Sequence, residues 1–247
     1  MMTEQEITAF LDGIENGYGS NLLTIENAKT TKGEELGYLT GILYLAPYTE
    51  SVAYGGGNLC AMASEGCASA CLFTAGRGQF DSVKLARIRK TIYFYKHREK
   101  FMDDLRASIK KIVRKAKKLG LIPAIRLNGT SDFPWHKTGI MQEFSDVQFY
   151  DYTKAVKRIF EVLPKNYHYT FSRSEKNQNH VQQVLDNSLV NIAIVFNSKN
   201  FPTEYLGRKV ISGDDHDLRF LDEKGVIIGL KAKGKAKKDT SGFVVHI

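Results

Sequence analysis

Apolar and polar positions alternate along several short stretches of this chain. In IPAIRLN (122–128), Ile125 and Leu127 share one side while Arg126 and Asn128 share the other. In VQFYDYT (147–153), Val147 and Phe149 oppose Gln148, Tyr150 and Tyr152; in YHYTFSR (167–173), Tyr169 and Phe171 oppose His168, Thr170 and Ser172. A period of two predicts strands whose two faces meet different surroundings. Further strands are predicted at TGILYLAP (40–47), NIAIVFN (191–197), RKVIS (208–212) and VIIGLKA (226–232). Helices are expected over 79–98, 99–119, 137–144, 154–162 and 176–188.

The spacing of these elements suits right-handed βα crossovers and hence a parallel sheet. Parallel strands covered by helices on both faces read as continuous apolar runs, so the polar sides here need another neighbour. An antiparallel sheet with one wet face would give the pattern. So would a complete or partial βα barrel with helices outside and a polar lumen that holds a ligand. The βα spacing favours the second. The expectation is an α/β fold, a single-domain partial barrel over residues 1–247 with about six to seven mostly parallel strands and outer helices. Residues 1–36 would form an N-terminal helical extension and 55–78 a loop after the first strand.

Polar groups gather where the apolar runs end, in RLNGTSD, FYDYTK, TFSRSE, VFNSKN and ISGDDHD. Loops at the C-terminal ends of barrel strands converge on one rim, which is where such folds place their sites. Arg126, Asn128, Ser131, Asp132, Asp151, Lys154, Ser172, Arg173 and Lys231 are therefore candidates to bind a substrate or cofactor, and Asp214 and Asp217 to move protons. Helix capping is the plainer role for Ser131, Asp132 and Ser174. A guanidinium inside a barrel needs a partner, and Asp132 or Asp151 could supply it.

The chain has three cysteines, Cys60, Cys67 and Cys71, all within GGGNLCAMASEGCASACLFTAGRG (55–78). The start, MMTEQEITAFLDGI, is acidic and lacks the apolar core of a signal peptide. No apolar run approaches the roughly 18 residues that span a bilayer. The expected compartment is a reducing cytoplasm, where clustered cysteines read as metal or redox groups before disulfides. A structural zinc site wants four ligands, usually from paired C-x2-C units, and would need a distant His here. A nucleophile needs one thiol, and buried structural thiols need no clustering. An iron–sulfur cluster on three thiolates accounts for the number best, because a four-iron cluster so held keeps one iron free of protein thiolate.

Net charge is +8, but residues 84–118 alone carry fourteen Lys or Arg against three acids. Lys110, Lys111, Arg114, Lys115 and Lys118 could hold a phosphate backbone. Phe101, Leu105, Ile109, Ile112 and Ala116 recur at helical spacing, so the same lysines also fit a solvated helix face.

The stretches CAMASEGCASACLFTAGRG, LARIRKT, RLNGTSDFPW, QFYDYTK, LPKNYHYTFSRSEKN, NIAIVFN, ISGDDHDLRFLD and GLKAKGKAKKDTSGFVV, in this order between about 37 and 245, resemble the bacteriophage gene product eighty-eight family. The resemblance implies a phage or prophage protein acting in a bacterial cytoplasm. The cysteine loop and βα layout also look like the radical S-adenosylmethionine enzymes, which place three cysteines after the first strand of a partial barrel. That likeness implies S-adenosylmethionine at the free iron and an electron donor. The C-x6-C-x3-C spacing is longer than the usual C-x3-C-x2-C. Ala70 stands where those enzymes carry an aromatic, and Asn128, Gly129 and Thr130 replace their glycine-rich segment. The sequence thus implies an iron–sulfur enzyme with a nucleotide or nucleic-acid substrate, or else a metal-stabilised module that binds nucleic acid or a host protein.

Overall fold

The structure, a computed structural model, describes residues 4–25, 28–71, 73 and 75–247. Seven parallel strands form its centre: β1 (Tyr38–Ile42), β2 (Ile122–Arg126), β3 (Gln148–Thr153), β4 (Tyr167–Ser172), β5 (Ile192–Phe196), β7 (Arg208–Ser212) and β8 (Ile227–Lys231). A two-residue strand, β6 (Glu204–Tyr205), pairs antiparallel with β7 at one edge. The order across the sheet is β1-β2-β3-β4-β5-β8-β7-β6. The α/β class and the mostly parallel sheet match the sequence reading.

The sheet is open, as a partial barrel requires, and has eight strands where six to seven were expected, the eighth being the two-residue β6. The edges explain the openness, because both outer strands are already paired. Thr24 bridges Ile42 on β1 through two backbone hydrogen bonds of 2.8 and 2.9 Å, and β6 occupies the edge of β7. The helical extension comprises α1 (Glu4–Leu11) and α2 (Ala28–Glu34) with short 3-10 turns; residues 1–3 and 26–27 of it lie outside the described residues.

One face of the sheet packs on helices. In α5 (Arg98–Leu119), Phe101, Leu105, Ile109, Ile112 and Ala116 form a buried stripe against Leu39, Ile125, Leu127 and Phe149. Each large side chain buried there contributes roughly 1.5–3 kcal/mol. Gly41 permits the close approach of β1 to α5, because a Cβ at that position would meet the Ile112 and Ile125 side chains. The helix stops at Gly120 (φ 67°), whose N–H returns to the Ala116 and Lys117 carbonyls, and the chain enters β2. In α8 (Gln178–Asn187), Val181 and Val184 cover Phe171, Ile192, Ile194 and Phe196 in the same way.

The opposite face carries Arg126, Tyr150, Tyr152, His168, Thr170 and Ser172, as the alternation predicts. Its lower part is covered by the segment between β7 and β8. Leu218 packs on Ala124 and Tyr150, and the Phe220 ring meets those of Tyr38 and Tyr150 at 5.1 and 5.4 Å. Arg219 is fully buried beside them. The strands are thus sealed near their N-terminal ends and open at their C-terminal ends.

Candidate functional site

At those open ends lies a cavity of about 440 Å³, touched by Arg126 of β2, Tyr152 of β3, Ser172 of β4, Val195 of β5 and Leu230 of β8. A flat sheet of that many strands, at about 4.8 Å per strand, could not surround one such space, so the strands curl about it. The loop after β1 covers the top. Cys60, Cys67 and Cys71 all line the cavity, none is in a disulfide, and each is half-buried.

Short polar contacts tie this loop to two strand ends. Ser64 caps the helix α3 (Glu65–Ser69), its hydroxyl oxygen accepting the Cys67 N–H at 3.2 Å. That hydroxyl donates to Glu175 at 2.7 Å, and the Gly66 N–H donates to the other Glu175 oxygen at 2.9 Å. Glu175, from the loop after β4, therefore fixes the turn that carries Cys67. Cys60 belongs to another anchor: its thiol donates to the Thr130 carbonyl at 3.6 Å, and the Asp132 N–H donates to the Leu59 carbonyl at 2.8 Å. Tyr48 lines the cavity with φ at 46°, an uncommon conformation for a non-glycine residue.

Burial pushes the Cys60 thiol up to about 12, and negative charge on Cys71, Asp132 and Cys67 adds to the rise. Cys71 is also raised by burial and by Cys67, while Lys154 and Arg87 act in the opposite direction. Lys154 donates to Ser172 Oγ at 2.8 Å and sits 5.8 Å from the Phe243 ring. At the bottom, Arg126 pairs with Asp217 at 2.8 Å and lies 4.7 Å from the Tyr152 ring centroid. Burial disfavours the guanidinium charge, and the Asp217 carboxylate with Tyr152 and Tyr150 more than reverses this, so its pKa ends raised. Among the described residues, no three or more His, Cys, Asp and Glu side chains are grouped to hold a metal ion.

The family model described as gene product 88 matches residues 21–247. The chain belongs to that bacteriophage family. No curated protein and no solved structure matches it. The stretches that carry the family resemblance meet at the cavity: Asn128–Asp132 from one, Ser172 from a second, Gly213, Asp214 and Asp217 from a third, Lys231, Lys233 and Phe243 from the last. No helix among the described residues is long and apolar enough to cross a membrane.

Arg126, Asn128, Ser131, Asp132, Lys154, Ser172, Asp214, Asp217 and Lys231 line the same cavity as the cysteines. Several have structural partners. The Asn128 amide donates to the Phe133 carbonyl at 2.9 Å, and its oxygen accepts from Ser131, the Phe133 N–H and Trp135. Asp132 accepts from Arg158 and from the Lys154 N–H. Asp214 accepts from Lys233 at 2.5 Å and from the Lys231 N–H at 3.1 Å; burial raises its pKa, but these contacts outweigh it and hold the group below the usual range.

Asp151 and Arg173 lie elsewhere. Asp151 is buried on the helix side, accepting the Asn128 N–H at 2.6 Å and the Tyr167 hydroxyl at 2.8 Å. Burial pushes its carboxyl up to about 7, against the Asn128 N–H, Arg126 and Tyr167. Arg173 donates to the Gly242 and Phe243 carbonyls at 2.6 and 2.8 Å and so secures the C-terminal segment. The partner of Arg126 is Asp217, in place of Asp132 or Asp151. Lys110, Lys111, Arg114 and Lys118 are exposed on α5 and Lys115 is half-exposed. The C-terminal end of α5 leads into the start of β2, so the later basic residues lie toward the end of the sheet remote from the cavity. Sequence reasoning did not single out Glu175, Tyr152 or Lys233; the lysine run GLKAKGKAKK was the one visible signal for the last.

Proposed function

We propose that Cys60, Cys67 and Cys71 hold a four-iron iron–sulfur cluster above the lumen, and that the lumen is a reaction site for an anionic substrate, a nucleotide or nucleic acid. One observation carries the reading: three cysteines from a single loop, none in a disulfide, line the same cavity as Arg126, Lys154 and Ser172. A single zinc ion draws its ligands to about 2.3 Å from one point. A cluster instead bonds each thiolate to a different iron, and three thiolates leave one iron of four without a protein ligand.

When bound, the cluster would supply one-electron chemistry and an iron without a protein thiolate. The likeness to radical S-adenosylmethionine enzymes makes that molecule the first ligand to try there, with an external electron donor. The protein's own contributions follow from the contacts. Arg126, held by Asp217, offers a fixed cationic donor at the bottom of the lumen. Lys154, positioned by Ser172, places an ammonium beside Cys71 and favours negative charge in a ligand at that point. Asp214 keeps Lys233 at the mouth.

The test uses anaerobically purified protein, reduced and examined by electron paramagnetic resonance with and without S-adenosylmethionine and nucleotides. The reading expects the cluster signal to change on ligand addition in the parent. In Lys154→Met the signal should persist with a weakened nucleotide response. A cluster signal unaffected by every ligand would leave the metal centre as a structural support and contradict the reaction site.

A further inference from the structure

The chain leaving β8 reads KAKGKAKK over residues 231–238, five lysines in eight positions with no acid among them. Ala232 and Ala236 are buried, packed with Ala70, Phe243, Val244 and the half-buried Cys67. That packing fixes the 3-10 turn Gly234–Lys238 against the cysteine loop and sends Lys231, Lys233, Lys235, Lys237 and Lys238 to solvent. Lys233 pairs with Asp214 at 2.5 Å; among the described residues no carboxylate lies within 4.0 Å of the other four ammonium groups. Like charges so crowded repel one another, and a polyanion relieves this by replacing many small counterions.

We infer that this lysine turn docks single-stranded nucleic acid, with one nucleoside unit entering the cysteine cavity. The inference rests on the reading of the cavity as a reaction site and names its substrate class. Lys231 and Lys233 line the cavity and Lys235, Lys237 and Lys238 continue the charge along the exposed turn beyond it, which suits a chain of phosphates better than one small anion. A cavity of about 440 Å³ beneath the cysteine loop admits a single unit and excludes a double helix. Tyr48 lines it and is exposed, offering a ring on which a base can stack. Arg126 lines the bottom of the cavity, 5% exposed and held by Asp217, which gives a bound unit a cationic partner there.

The experiment is anaerobic titration of a labelled single-stranded oligonucleotide with the full chain, across a range of salt, read by fluorescence anisotropy. The triple variant Lys235→Glu/Lys237→Glu/Lys238→Glu alters only exposed positions. It should bind at least about tenfold more weakly, with a salt slope shallower by about two, at roughly 0.7 per phosphate contact. Reversal of Lys110, Lys111, Lys115 and Lys118 to Glu should leave both unchanged. Iron and sulfide content, read in every sample, report the cluster separately: a failed docking strip with an intact cluster sinks this inference alone, and a parent without iron sinks the cluster reading. Unchanged binding in the 235/237/238 variant overturns the proposal, as does loss of binding in the α5 variant instead. Displacement by duplex, by a mononucleotide or by polyglutamate as readily as by unlabelled oligonucleotide at equal charge overturns it in favour of that other ligand.

Discussion

One guanidinium nitrogen of Arg126 on β2 lies 2.9 and 2.8 Å from the two carboxylate oxygens of Asp217, which comes from the segment between β7 and β8. Both side chains are buried, at 7% and 9% exposure, and Tyr150 adds its hydroxyl to the same carboxylate at 3.4 Å. This contact fastens the segment that seals the lumen to the strand that supplies its cationic donor.

Removing one member of the pair leaves a buried charge alone. Asp217→Asn should lose about 3–5 kcal/mol in urea denaturation. Arg126→Met combined with Asp217→Leu should recover much of that loss, since apolar groups of similar volume often replace a buried pair at little cost. The double variant should nonetheless lose its response to nucleotides. A single Asp217→Asn variant as stable as the parent would contradict the assignment.

Two buried groups with opposite shifts shape stability against pH. Burial lifts the Asp151 carboxyl to about 7, so the folded chain holds this proton where the unfolded chain, near 3.8, has released it. Its contribution is present below pH 3.8 and is lost as pH rises through 7. His168 behaves in reverse: burial, then Arg219 and Lys224, lower it from 6.5 to about 4, so stability is present above 6.5 and is lost as pH falls through 4. Asp151→Asn should therefore gain on the parent between pH 4 and 7, by an amount on the order of a few kcal/mol. His168→Gln should flatten the acid limb between 6.5 and 4. Denaturation midpoints across this range check both, and parallel curves for parent and variants would refute them.

Glu175 controls the cysteine loop without lining up with the cysteines in sequence. Glu175→Ala removes both the partner of the Ser64 hydroxyl and that of the Gly66 N–H. The expected cost is about 1–3 kcal/mol of local stability, with the fold retained and iron lost faster to a chelator. Iron release no faster than in the parent would show that the loop is held by other contacts.

The alternation in 122–128, 147–153 and 167–173 made the two faces of the sheet legible, and the cysteine spacing after β1 placed the loop at the correct end. Parity along β3 also puts Asp151 with Phe149 on the helix side. Its polarity suggested the rim, and Asn128 N–H and Tyr167 show how a carboxyl is accommodated away from it. Arg173 shares its side with Phe171 for the same reason. Asn128 continues the alternation beyond the strand, which ends at Arg126, and its amide binds the following loop. The Arg126–Asp217 pair joins residues 91 apart, and the blocked edge of β1 depends on Thr24. Contacts so distant leave no local pattern to read.

The central claim concerns what the three thiols hold, and the most direct measurement is the iron and acid-labile sulfide content of anaerobically purified or reconstituted protein. The account predicts brown protein with about four irons and four sulfides per chain, lost when any one of Cys60, Cys67 or Cys71 is changed to Ala. Colourless protein carrying one zinc per chain, or no metal after anaerobic reconstitution, would contradict it.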